Sequence, residues 1–202
     1  STEKMWLLYS RLCIRLFLLF STYSGTQLEN TQMQELPGKR GKYQRYFFAR
    51  LMDTIYPNAN KKGFMGAEML HDYCSVLYRS SNSKLMCQTL THACTKLYPH
   101  DAKLWILFMS AMKGDKKAVD SAIEHYITKP ALPRESKEFA SEAELQKLFW
   151  KTVLGYVKKW SNNLTVQQLD HYFIQAMKYC SHSTSVKKMF FKFYAEQYPY
   201  EG

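Results

Sequence analysis

A chain of 202 residues, 46% of them hydrophobic and 22% charged, has apolar surface enough for a core and length for one domain or one short repeat array. Only 8 Gly and 6 Pro argue against a β-sandwich built from tight turns, so the expected fold class is all-α. The 28 Lys+Arg against 17 Asp+Glu leave a net charge of +11, which attracts polyanions, nucleic acid first among them, unless it marks a basic piece of a larger, more balanced protein.

Thr2 to Tyr23 read as the first helix, with Met5, Trp6, Tyr9, Leu12, Cys13, Leu16, Phe17 and Phe20 at helical spacing. Leu7, Leu8, Ile14, Leu18 and Leu19 make it apolar around much of its circumference, so it is expected to pack from two sides. Its apolar run from Leu12 to Phe20 is too short to span a bilayer, and Arg15 interrupts it. The start at Ser1, without Met and inside a helix pattern, suggests a piece of a longer chain.

Periodicity disappears from Ser24 to Lys42, where Gly25, Pro37, Gly38 and Gly41 suggest an inserted surface loop. A helix follows from Tyr43 to Ile55 and ends at Tyr56-Pro57, since a residue before proline is disfavoured in the α conformation. The next runs from Gly66 to Tyr78, and another, capped by Ser83, from Lys84 to Leu97. Tyr98-Pro99 stops it, and Asp101 caps a helix whose face carries Leu104, Trp105, Phe108, Met109 and Met112.

Gly114 suits a helix C-terminus, and Asp115 opens a helix with Ala118, Val119, Ala122, Ile123 and Tyr126 on one side. Pro130 and Pro133 keep the next connector extended. Ser141 with Glu144, then Thr165 with Gln168, form capping boxes that start helices ending near Trp160 and Cys180. A last helix covers Val186 to about Tyr198. That makes about nine helices.

The helices also repeat. Tyr-Pro steps recur at Tyr56, Tyr98 and Tyr198, and a bulky residue stands three positions before an aromatic at Trp6/Tyr9, Leu70/Tyr73, Trp105/Phe108 and Phe190/Phe193. Trp105 and Phe190 lie two periods of about 42 residues apart, with Trp150 near the midpoint, a spacing that signals a helical repeat array. In such arrays each helix pair buries its face only against the next pair.

At Lys103 to Phe108, and again at Glu3 to Tyr9, the chain resembles the HAT (half-a-TPR) repeat family, whose first helix carries a Trp and an aromatic three residues on. Leu169 to Met177 is similar to the family's second helix, with Ala176 as its small crossing residue, and Pro99 and Pro130 stand where the family has its Pro. His125 and Gln175 replace the usual charged residues of that helix, and Cys94 an expected Ala.

The resemblance implies an α-solenoid of antiparallel helix pairs over residues 1–202, apart from the insert, serving as a non-enzymatic scaffold of nuclear RNA processing. Within the family, Glu3 to Tyr9 and Lys96 to Phe108 look most like the U3 small nucleolar RNA-associated members of the small-subunit processome, which implies a nucleolar role in ribosomal RNA maturation. Scaffolding of splicing or of 3′-end cleavage, and a protein-only TPR-like adaptor, are the alternatives. The expected partners are other proteins of a ribonucleoprotein assembly, RNA through basic surface, or a second copy, and no membrane.

The residues themselves point away from catalysis: no Gly-rich phosphate loop, no G-x-S-x-G elbow and no carboxylate pair in apolar surroundings is present. Cys87, His92 and Cys94, and Cys180 with His182, lack the paired spacing of a zinc site, so neither metal nor cofactor is expected. The five cysteines form no disulfide framework and read as free thiols in a reducing compartment.

Repeat packing is assigned to Trp6, Tyr9, Leu70, Tyr73, Trp105, Phe108, Ala122, Trp150, Ala176, Phe190 and Phe193, since regular spacing on an apolar face favours core over base stacking. Candidate contacts to RNA or an acidic partner are Lys39, Arg40, Lys42, Arg45, Lys61, Lys62, Lys116, Lys117, Lys158, Lys159, Lys187 and Lys188. Several lie at turns and are expected along one edge of the array, where phosphate contact would be salt-sensitive and sequence-independent.

Overall fold

A computed structural model describes residues 2–22, 37–127, 137–180 and 183–197, and every regular element among them is helical. The chain divides into two compact units, residues 1–86 and 87–202.

The first unit holds α1 (Thr2–Thr22), α2 (Pro37–Ala49), α3 (Tyr56–Lys61) and α4 (Ala67–Arg79). One side of α1 packs against α2 and α4. Cys13, Leu51, Ile55, Tyr56, Ala59, Met69 and Val76 form the buried core, with Trp6, Ile14, Phe47 and Phe48 closing over it. Large rings fill the α1/α2 seam, Phe17 on Phe48 at 5.9 Å and Phe20 on Phe47 at 6.0 Å between centroids.

Two expectations for this unit need correction. Residues 37–42 belong to α2 and not to a loop: Pro37 opens the helix, where a missing N–H costs nothing. The remainder of the expected insert, 24–36, lies outside the described residues. Tyr56-Pro57 also does not end a helix. The wider π-helical turn Arg50–Ile55 carries the path straight into α3, and the Tyr56 N–H bonds the Leu51 carbonyl five residues back. Tyr56 keeps α geometry at φ −65° because its ring is 2% exposed and packs at a tilt on Tyr73, 4.5 Å between centroids. Burial outweighs the local penalty of a following proline.

Arg11 ties α1 to α4, its Nε donating to Asp72 Oδ2 and its Nη2 to Glu68 Oε2, both at 3.0 Å. Burial alone would raise the Asp72 carboxyl, but the His71 ring 4.0 Å away and the hydrogen bond from Arg11 outweigh it and hold the group below its ordinary range. A carboxyl lowered on folding stabilises above its unfolded value, and that contribution is lost as pH falls through the folded value. Thermal melts between about pH 5 and about pH 2 should therefore show a smaller acid-side loss in Arg11→Ala than in the parent. Arg11 is 44% exposed, so the difference should stay under about 1 kcal/mol.

The unit boundary falls within α5 (Ser83–His92), which runs on through a second π-helical turn, Ala93–Leu97. Ser83 is the first residue of α5 and not its cap; Asn82 Oδ1 accepts from the Leu85 N–H at 3.4 Å instead. At Tyr98 the φ turns to −136° and the helix ends.

The second unit holds α6 (Ala102–Ala111), α7 (Lys116–Ile127), α8 (Lys137–Trp160), α9 (Val166–Tyr179) and α10 (Thr184–Gln197). Asp101 caps α6 through the Leu104 N–H at 2.9 Å, and Gly114, at φ +70°, closes the turn into α7. Asp115 accepts from the Lys117 and Ala118 N–H groups at the start of α7. A second cap also differs from expectation: α8 begins at Lys137, so Ser141 lies inside the helix, and Glu144 pairs with Lys147 one turn on. The expected extended connector, residues 128–133, lies outside the described residues.

Thr165 and Gln168 cap α9 reciprocally, at 3.3 Å and 3.0 Å. Thr165→Ala should cost about 1 kcal/mol in urea unfolding, while Thr165→Ser should change it by only a few tenths. In this unit α6 packs against α7 and α8, and α8 against α6, α9 and α10. Trp105, Met109, Val119, Ala122, Phe149, Trp150, Val153 and Ala176 are all fully buried in it.

Candidate interaction surfaces

The repeat-packing residues do not share one environment. Trp105, Ala122, Trp150 and Ala176 are fully buried, Leu70, Phe108 and Phe193 nearly so, while Trp6, Tyr73 and Phe190 are half-buried. Trp105 meets Phe108 edge to face at 5.5 Å, and its indole N–H donates to the Pro99 carbonyl at 2.8 Å. That bond links the proline step to the helix that follows it. Tyr9 departs from the expectation of packing: it is 40% exposed, and its hydroxyl accepts from Arg50 Nε at 3.1 Å. On a helix apolar nearly all round, the neighbours decide which face is buried.

The basic residues divide similarly. Lys39 and Arg40 lie on α2, but their side chains are outside the described residues. Lys42, Arg45, Lys61, Lys117, Lys187 and Lys188 are exposed. Lys62 stands over the Trp6 ring at 5.6 Å and Lys159 over Tyr156 at 5.1 Å. Lys116 pairs with Asp120 at 3.0 Å, and Lys158 with Glu196 at 2.8 Å, a contact that holds the Glu196 carboxyl below its ordinary value.

Lys158 reaches the C-terminal turn of α10 through Glu196, whereas Lys187 and Lys188 start nine and eight residues earlier on that helix, about 12 Å or more along its axis.

A groove of about 710 Å³ runs between α7, which supplies Lys116, Asp120, Ile123 and Glu124, and α9, which supplies Gln168, His171, Tyr172 and Gln175. The Tyr172 hydroxyl donates to Asp120 Oδ1 at 2.5 Å, and Lys116 holds the other carboxylate oxygen. Burial, then the Asp120 hydrogen bond, push the Tyr172 phenol up to about 12, so it stays a donor at neutral pH. Two carboxylates against one lysine leave the groove weakly acidic despite the basic chain. Side-chain amides and carboxylates of this kind grip backbone amides or basic side chains, and repel phosphate. Sequence reasoning missed this groove, although the four-residue spacing of Lys116, Asp120 and Glu124 and the near-matching spacing of Gln168, His171 and Gln175 were the available signal.

Cys13, Cys74, Cys94 and Cys180 are buried and Cys87 is half-buried. Burial raises the Cys13 thiol and pushes that of Cys180 up to about 12, which removes thiolate character at neutral pH. Among the described residues no group of His, Cys, Asp and Glu could hold a metal ion, and no helix is long and apolar enough to cross a membrane. No family model, curated protein or solved structure matches this chain.

Proposed function

We propose that this chain is a non-enzymatic scaffold of HAT-like helix pairs that holds partner proteins in register within a nuclear RNA-processing assembly, with small-subunit ribosomal RNA maturation as its setting. The packing order within the second unit carries the solenoid part of this reading. There α8 packs against both α6 and α10, every second helix meeting the next, as in stacked pairs. The recurrence of a π-helical turn before Tyr56-Pro57 and again before Tyr98-Pro99, 42 positions later, supports an internal repeat.

The engagement of Lys62, Lys116, Lys158 and Lys159 by rings and carboxylates favours a second reading, an adaptor without direct RNA contact. Filter binding of structured RNA across a salt series separates the two. Affinity that falls steeply with salt supports direct contact, and none at low salt leaves protein contacts alone. Cross-linking and sequencing of the RNA that co-purifies with the protein tests the setting. Recovery of pre-ribosomal RNA is expected; its absence from the enriched species would overturn the assignment.

A further inference from the structure

We propose that the outer face of α1, with the adjoining edge of α2, is a docking site for an amphipathic helix of a partner protein whose apolar seam is flanked by acidic residues. Met5, Leu8 and Leu12 are 67%, 62% and 54% exposed, and their spacing of three then four residues makes one seam along α1. Tyr9 borders it, and Tyr43 and Tyr46 of α2 are 46% and 58% exposed. The Arg50-to-Tyr9 hydrogen bond and the stacking of Phe20 on Tyr43 at 5.5 Å place the seam and these tyrosines on one side of the helix pair. The opposite side of α1, through Trp6, Cys13 and Ile14, is already spent on the core. Large apolar side chains contiguous over two helices mark an interaction surface.

The rim selects the occupant. Lys4 and Arg15 flank the seam on α1, and Lys42 of α2 and Arg50 of the π-helical turn that follows it are exposed; Glu3 and Asp53 are the exposed carboxylates on these elements. Among the described residues no ion pair engages Lys4, Arg15 or Lys42. A second copy would bring +11 against +11, and a parallel pairing would set Arg15 against Arg15. A helix with glutamates beside its seam meets these cations instead, and its leucines match the three-four spacing of α1. Nothing here depends on RNA or on stacked repeats, because the surface is local to α1 and α2.

The test is fluorescence anisotropy of a labelled helical peptide of three heptads, leucine at both seam positions and glutamate at the flanking ones, titrated with the 202-residue chain. Saturable binding is expected, weakened at least about tenfold in Leu8→Asp/Leu12→Asp and about fivefold when lysines replace the peptide's glutamates. Both substituted leucines are exposed, so the variant should melt with the parent. Should it melt early, Lys4→Glu/Arg15→Glu is read instead, and must weaken the glutamate peptide while strengthening the lysine one. No saturable binding, equal binding of the two peptides, or binding unchanged in the variants overturns the proposal. Sedimentation equilibrium of the chain alone should give a monomer; a dimer abolished by Leu12→Asp would assign the face to a second copy.

Discussion

Trp105→Ala is expected to cost about 3–5 kcal/mol of stability, the range for deleting a large aromatic side chain from a packed interior. The side chain is fully buried, touches Phe108 and His125, and closes the Tyr98-Pro99 step through its bond to the Pro99 carbonyl. Removing it leaves a cavity and a carbonyl without its donor. Trp150 provides the comparison. It is equally buried, but its indole N–H meets no acceptor among the described residues. Trp150→Phe should therefore cost less than Trp105→Phe, whose deficit includes a lost hydrogen bond of about 1 kcal/mol. Urea unfolding followed by circular dichroism reads all three variants. A Trp105→Ala midpoint close to the parent's would remove this ring from the core.

Gly114→Ala should be nearly as damaging, at about 2–4 kcal/mol, for two reasons that can be separated. The residue sits at φ +70°, where a β-carbon is strained, and that carbon would lie 2.0 Å from Tyr156 Cδ1 and 2.3 Å from Cε1. The α6–α7 turn is thus seated against the side of α8, with no room for one methyl group. Gly63 isolates the first reason: it has φ +72° but open space around it, so Gly63→Ala should cost only about 1 kcal/mol. Combining Gly114→Ala with Tyr156→Ala should restore the steric part and leave the conformational part, giving a coupling energy of about 1–3 kcal/mol. Simple additivity in that cycle would show that the ring does not confine the turn.

What could be read from residues alone was whatever closes within one helical turn. Asp101 and its Leu104 N–H, Gly114 at positive φ, and Thr165 with Gln168 are contacts over three or four positions, so they were visible without knowing any neighbour. The same holds for the all-helical class, which follows from apolar periodicity and few turn residues. Local signals failed where two of them competed. Asn82 and Ser83 are both good caps, and only the backbone path chose Asn82. Ser141 reads as a start, yet α8 begins a turn earlier, at Lys137.

Everything that depended on partners distant in sequence needed coordinates. Tyr56-Pro57 passes through a helix because Tyr56 is buried against Tyr73, an energy that no dipeptide rule contains. Tyr9 and Leu12 share the apolar character of Cys13, but α2 and α4 cover only one side of α1, so the others face water. Lys158 is engaged by a carboxylate 38 residues away, and Asp120 by a hydroxyl 52 residues away. Local hydrogen bonding and periodicity thus set where each helix lies in this chain. Burial and charge pairing between helices, which have no signature at fixed spacing, set which faces and which lysines are left for a partner.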